Sequence, residues 1–233
     1  MTLHASGLTP RGFFITGTDT GVGKTLITCA LLHAYAGLGR RVVGMKPVAA
    51  GAIRNPGGLI NEDVVQLRAA SNVDAALTLI NPYCFDAPIA PHLAAEHAGV
   101  VITLATIVSA FERLAAAADV VLVEGVGGFR VPLNRAEDAA DLAQCLGLPV
   151  ILVVAIRLGC LNHALLTADA IRSKGLAFAG WIANRMDTAM AEAERNVAAL
   201  AERLPAPLLG DIEFTPTPDP RRIASRLTLT NLV

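Results

Sequence analysis

The chain has few aromatic residues, 4 % of its 233 positions, and almost no net charge, at −1. A near-neutral balance leaves no electrostatic footprint for nucleic acid or an anionic membrane surface. No apolar run approaches the roughly 20 residues that a spanning helix requires. The first dozen residues do not form a signal peptide. Cys29, Cys84, Cys145 and Cys160 lie far apart without a Cys-x-x-Cys pair. That scatter speaks against a disulfide framework and for reduced, buried thiols in a cytoplasmic protein. The histidines offer no metal-ligand spacing either, since His92 and His97 fall off the i, i+4 register of a helix. Internal repeats and low-complexity tracts are absent.

What is abundant is aliphatic. Hydrophobic residues make up 53 % and charged ones 17 %, the balance of a parallel sheet buried on both faces. The length suits one α/β domain over residues 1–233. Short β-like runs are expected at Phe13–Thr16, Val42–Lys46, Val120–Glu124, Val150–Ala155, Gly180–Asn184 and Leu208–Asp211. Helical stretches alternate with them near Leu26–Leu38, Glu62–Ala70, Leu104–Ala117, Asp138–Leu146, Asn162–Lys174 and Ala189–Leu204. This alternation predicts a parallel sheet covered by helices on both faces. The segment from Ile80 to Gly99, with Pro82, Pro88 and Pro91, breaks the rhythm as an ordered excursion over the sheet edge. In such a sheet, ligands sit beyond the carboxyl ends of the strands.

The stretch Gly17-Thr18-Asp19-Thr20-Gly21-Val22-Gly23-Lys24-Thr25 lies between the first strand and the first helix. A glycine-rich turn ending Gly-Lys-Thr in that context is a phosphate-binding P-loop. Its N–H groups turn onto phosphates, Lys24 reaches the β- and γ-phosphates, and the Thr25 hydroxyl meets Mg²⁺. One departure stands out: Thr18 fills the slot of the pattern's first glycine, and Gly17 sits one place earlier. The chain is therefore expected to handle a nucleoside triphosphate.

Other strand ends carry candidates. Lys46, fixed by the following Pro47, points at the P-loop mouth as a partner for a phosphoryl group or an anionic substrate, or stands as a solvated lysine. Glu124 closes an apolar strand before Gly125 and Gly127, so it needs a partner, either Mg²⁺ or a structural ion pair. Asp63, after Asn61 and Glu62, suits a helix start without any function, yet also offers Mg²⁺ a hard oxygen. Asn184 could pair with a purine edge. The run Asn184-Arg185-Met186-Asp187 resembles the guanine-reading Asn-Lys-x-Asp of GTPases, with arginine in place of lysine. Gly159, Cys160 and Asn162 lead into a helix and form either an anion site or a plain N-cap.

Together these stretches resemble dethiobiotin synthetase. Six of them follow that family's order: the P-loop, Lys46-Pro-Val-Ala-Ala50-Gly, Asn81-Pro-Tyr-Cys-Phe with Pro88-Ile-Ala-Pro91-His92, Val121-Leu-Val-Glu124-Gly-Val-Gly-Gly, Leu158-Gly-Cys-Leu-Asn162-His, and Pro205-Ala-Pro-Leu-Leu-Gly-Asp211. The resemblance implies a homodimer with about seven parallel strands. It also implies an ATP- and Mg²⁺-dependent reaction of CO₂ or bicarbonate with 7,8-diaminopelargonate. By the same match, Lys24, Thr25, Lys46, Asp63 and Glu124 take the phosphate, metal and catalytic roles. Thr20, Gly21, Val22 and Gly23 surround the nucleotide, and Asn184, Arg185, Glu213, Phe214 and Thr215 fall near the base. Thr20, Lys46, Ala50, Gly159, Cys160 and Asn162 fall near the diamine, the last three across the dimer interface. Ala50 stands where the family often has a serine, so one substrate contact there must come from backbone or water. A partitioning ATPase of the same class usually carries a lysine early in its loop, where this chain has Thr18 or Asp19.

Overall fold

The computed structural model describes residues 12–186, 190–230 and 232. Strand β1 (Gly12–Gly17) is buried at every position because its faces serve two cores. Phe13 and Ile15 enter one, and Phe14 the other. The P-loop follows, then α1 (Lys24–Gly37) and β2 (Val42–Met45). Two short pieces not foreseen from sequence come next: β3 (Val48–Ala49) and a hairpin of β4 (Ile53–Asn55) with β5 (Gly58–Ile60).

Helix α2 (Glu62–Ala70) has the expected bounds, with the Asn61 side chain accepting the Val64 N–H. Then come α3 (Leu77–Ile80), β6 (Tyr83–Cys84), α4 (Pro91–His97) and α5 (Leu104–Ala117), the last also as expected. The second half alternates regularly: β7 (Val120–Glu124), α6 (Ala139–Leu146), β8 (Val150–Ile156), α7 (Cys160–Ser173), β9 (Phe178–Arg185), α8 (Ala193–Arg203), β10 (Leu208–Ile212) and α9 (Pro220–Ala224).

The main sheet is parallel throughout, in the order β10-β9-β8-β1-β7-β2. Among the described residues six strands are paired in it, where the family resemblance implied about seven. β3 pairs with β6 in a separate two-stranded piece. Alternate residues of β8 explain the layering. Ile151, Val153 and Ala155 pack toward the α1 side, and Leu152, Val154 and Ile156 toward α7 and α8. Each face buries its own apolar layer, so near-continuous apolar strands are the stable solution. Among the described residues no helix is long and apolar enough to cross a membrane. The four cysteines are free; Cys29 and Cys160 are buried, Cys84 is half-buried and Cys145 exposed.

β1 is flanked by β7 on one side and β8 on the other. The chain diverges from that centre, leaving a crevice beyond the strand ends where a ligand can approach. The P-loop, Lys46 and Glu124 all follow or end strands at this edge.

Candidate active site

The P-loop is held from below. The Thr18 N–H donates to the Val153 oxygen at 3.1 Å, anchoring the loop to β8. Gly23 has φ 88°, and a Cβ there would lie 2.2 Å from Asn184 Nδ2. Only glycine fits, because the loop turns in the left-handed region directly against that amide. Lys24 is buried, and its Nζ donates to the Asp19 carbonyl oxygen at 2.9 Å. Burial, then repulsion from Lys46, brings its pKa down to about 8, although Glu124, Asp63 and Asp19 pull the other way.

Three elements, α2, α3 and β7, converge on Lys46. Its main chain is fixed by two bonds: its N–H donates to the Ile80 oxygen at 2.8 Å, and its carbonyl accepts Asn81 Nδ2 at 2.6 Å. The side chain is buried, with Nζ 2.5 Å from Glu124 Oε1 and 2.9 Å from Asp63 Oδ2. Burial pulls its pKa down, but the two carboxylates outweigh it and the net direction is upward. Lys46 thus remains an ammonium. Asp63 behaves reciprocally: burial raises its pKa, and Lys46, with a hydrogen bond from Thr25, takes the net shift downward.

Glu124 is fully buried at the end of β7. Its Oε1 accepts both Lys46 Nζ and the Thr25 hydroxyl, the latter at 2.9 Å. Its Oε2 is buried without a hydrogen-bond partner among the described residues. A buried bare carboxylate oxygen is costly to leave unpaired. Beside a second carboxylate and a hydroxyl, it fits a hard divalent cation. Two protein carboxylates and a hydroxyl match the sparse protein set that Mg²⁺ takes when phosphates and water complete its shell.

Thr20, Gly21, Gly23, Lys24 and Thr25 line one side of a cavity of about 710 Å³, and Lys46, Asp63, Glu124 and Gly127 line another. Ala50 is on its wall, and the Ala50 carbonyl accepts Asn61 Nδ2 at 3.3 Å. Pro88, Ile89, Ala90 and Pro91 close it, so the proline-rich excursion reaches the site itself. Val126 and Val131, which sequence reasoning did not single out, supply apolar wall. The glycine run around Val126 was its only signal, and Val131 carried none.

The remaining candidates divide. Asn184 is buried under the P-loop, and its Nδ2 donates to the Val22 carbonyl at 2.9 Å and contacts Met186 Sδ at 3.0 Å. Arg185 turns away and pairs bidentately with Asp211 on β10, at 2.9 and 2.6 Å. Arg185, Glu213 and Phe214 border a second cavity of about 680 Å³. Thr215 is exposed beside them. Asp187 lies outside the described residues. Gly159, Cys160 and Asn162 do not line the P-loop cavity of their own chain. The α7 N-cap is Gly159, not Asn162, because the helix starts two residues earlier than the sequence suggested. One neighbour of the loop went unnoticed in the sequence: Arg157, just past β8, pairs with Asp19 at 2.5 Å.

A family model described as an AAA domain matches residues 11–222. An ATP-dependent dethiobiotin synthetase BioD from Aromatoleum aromaticum is 57 % identical over 220 residues, covering 94 % of this chain and 98 % of that protein. The chain belongs to the dethiobiotin synthetase family. The dethiobiotin synthetase of Ralstonia nicotianae, at 53 % identity, covers 94 % of this chain and 96 % of its own length. That of Nitrosospira multiformis, at 52 %, covers 95 % and 96 %. Among solved structures, the septum site-determining protein MinD of Pyrococcus horikoshii, complexed with Mg-ADP, aligns with TM-score 0.55 at 19 % identity. It covers 88 % of this chain and 82 % of its own. The Aquifex aeolicus MinD aligns with TM-score 0.53 at 18 %, over 88 % of this chain and 82 % of that one. At such identity the likeness to MinD extends to the fold alone.

Proposed function

We propose that this chain is an ATP-dependent ligase that closes the cyclic urea of dethiobiotin on 7,8-diaminopelargonate, with CO₂ as the carbon source and Mg²⁺ as the metal. The observation that carries the reading is Lys46, an ammonium fixed between Glu124 and Asp63 on the wall that faces the P-loop lysine.

An amine adds CO₂ to form an N–C bond and loses a proton, giving a carbamate. The carbamate is anionic and resists attack by a second amine. Phosphoryl transfer from ATP to the carbamate oxygen gives a carbamic-phosphoric anhydride and ADP. The second amine then attacks the carbonyl carbon, phosphate departs with the C–O electron pair, and a five-membered ring closes. Intramolecular attack in good geometry is worth effective molarities of roughly 10⁵–10⁸ M, so the site must chiefly hold and orient.

The chain's residues suit those tasks. Lys46 has three N–H donors, and two are met by Glu124 and Asp63. The third is held only by a long 3.5 Å bond from Nζ to the Gly125 carbonyl, which a carbamate oxygen can replace. Lys24 and the loop N–H groups take the triphosphate. Thr25, Asp63 and Glu124 are the residues that would hold Mg²⁺, whose charge, when bound, neutralises phosphate oxygens. Thr20 and Ala50 flank the space left for the diamine.

The wider reading is a single P-loop domain working as a cytoplasmic homodimer. Four free thiols accord with a reducing compartment. Leu158 is 96 % exposed beside Gly159, an apolar side chain that a second protomer would cover. In that dimer the Gly159–Asn162 turn of one protomer meets the diamine carboxylate in its partner's cavity.

The test combines ATP, Mg²⁺, bicarbonate and the diamine, following phosphate release and product mass together. Diamine-dependent phosphate release with a cyclic urea of matching mass supports the reading. Hydrolysis indifferent to the diamine, with no urea formed, overturns it.

Two further outcomes are expected. ATP binds the charged form of Lys24, whose pKa is about 8 in the free protein. Below pH 8 the ammonium is already present. Above it, protonation must accompany binding, so the apparent Kd rises, by about tenfold at one unit above the pKa. Calorimetric titrations from pH 7 to 9.5 check this, and a flat profile would contradict it. For the base, ATP exceeds GTP in kcat/KM, because the Arg185 guanidinium is committed to Asp211 and leaves Asn184 to meet adenine. Arg185→Ala changes the ATP/GTP ratio by less than about threefold, under roughly 1 kcal/mol. A parent preference for GTP would refute the adenine assignment.

A further inference from the structure

Asp19 places a carboxylate one residue before Thr20, which lines the P-loop cavity. A negative charge there opposes the triphosphate that the loop receives. Both of its oxygens are engaged. Oδ1 accepts the Thr20 N–H at 2.7 Å, and Oδ2 meets Arg157 Nη2 at 2.5 Å. The Asp19 carbonyl oxygen accepts Lys24 Nζ. One residue therefore joins the loop backbone, the loop lysine and a cation just past the end of the neighbouring strand. The Thr20 N–H contributes most to holding the Asp19 carboxyl below its usual range. Arg157 and, more weakly, His163 on α7 add to that pull, with burial opposing them.

Arg157 owes its position to the sheet and not to the loop. β8 pairs with β1 in register, Gly17 opposite Val153, and Arg157 follows the end of β8. The side chains of Arg157 and Asp19 are 48 % and 51 % exposed, so the pair adds little to folding. Its effect lies in where it sends the Asp19 charge.

We propose that Arg157 is a positioning residue for the nucleotide: it neutralises the Asp19 carboxylate and keeps it turned onto the Thr20 N–H, away from the phosphates. This deepens the ATP-binding reading above and rests on it. Without Arg157, the carboxylate is uncompensated and the loop repels its ligand.

The test measures the Kd of ATP with Mg²⁺ by titration, with no diamine present. Arg157→Ala raises Kd about tenfold, while kcat at saturating ATP in the full reaction falls by less than threefold. Arg157→Lys keeps a charge but loses the planar fork, so it falls between the two and tests the proposal should the alanine variant fail to fold. In an Asp19→Asn background, the same Arg157→Ala change alters Kd by less than threefold. There is then no charge to neutralise, and the amide oxygen still accepts the Thr20 N–H. An equal loss in both backgrounds overturns the proposal, because Arg157 would then meet the nucleotide directly. An unchanged Kd in the parent background also overturns it, leaving only a surface ion pair. A parent that binds ATP but forms no cyclic urea sinks the synthetase reading and leaves this one standing.

Discussion

Lys24→Ala abolishes turnover and leaves the free protein at least as stable as the parent. The loss expected is roughly 10³-fold in kcat/KM, about 4 kcal/mol. On the proposed function the lysine would touch the triphosphate before and during transfer, so KM rises and kcat falls together. The stability half follows from burial. Lys24 has its pKa lowered from 10.5 to about 8 in the fold. The folded state therefore binds fewer protons than the unfolded chain between those values, and stability rises with pH across that window. Below pH 8 the charged form is fully present and its penalty is complete. Alanine removes that penalty, on the order of 1–3 kcal/mol, and the repulsion from Lys46. Against this stands the lost bond to the Asp19 carbonyl, about 1 kcal/mol. Calorimetry of the ligand-free proteins at pH 7, run beside steady-state kinetics, separates the two effects. Near-parent activity would remove the nucleotide site. A collapsed Tm would make Lys24 a residue of the fold instead.

That opposition between burial and function explains which parts of the molecule were legible in advance. α2 and α5 were readable to the residue because their starts are local: Asn61 and Thr103 cap them through their own side chains. The strands were readable because burial on both faces leaves long apolar runs. The β3–β6 pairing was not, since two-residue strands carry no period and depend on a partner 35 residues away. The exposed β4–β5 hairpin has no apolar alternation to announce it. At the site, residue types at strand ends pointed to Lys46 and Glu124. How Glu124 divides its two oxygens is a property of packing alone. Arg157 was hidden for a related reason, and Arg185, expected near the base, gave no sign of its partner Asp211. Each follows or ends a strand, and only sheet register brings Asp19 and Asp211 within reach.

Glu124→Gln is the second large effect. The amide has one carbonyl oxygen and one NH₂, where the parent has two acceptors. If its oxygen keeps Lys46 and Thr25, its NH₂ replaces the bare Oε2 and turns two donors toward the metal position. If it flips, the NH₂ faces the Lys46 ammonium. Both arrangements would cost the proposed metal site a hard anionic ligand, and a neutral amide is a poorer one for Mg²⁺. The charge balance around Lys46 changes too, because Glu124 is the stronger of the two carboxylates holding it protonated against burial. With Asp63 alone, the Lys46 pKa falls, and the ammonium is lost at a lower pH than in the parent. Breaking a buried pair entirely costs about 3–5 kcal/mol; here Asp63 remains, so a loss of about 1–3 kcal/mol is expected. Activity falls by roughly 10²-fold, near 2.7 kcal/mol. The Mg²⁺ concentration for half-maximal rate rises, and the alkaline limb of kcat moves to lower pH. Both shifts are read from Mg²⁺ titrations at several pH values, with a melt to confirm the fold. A variant that matches the parent at saturating Mg²⁺, with an unmoved pH profile, would make Glu124 a structural ion-pair residue and transfer the metal to other groups.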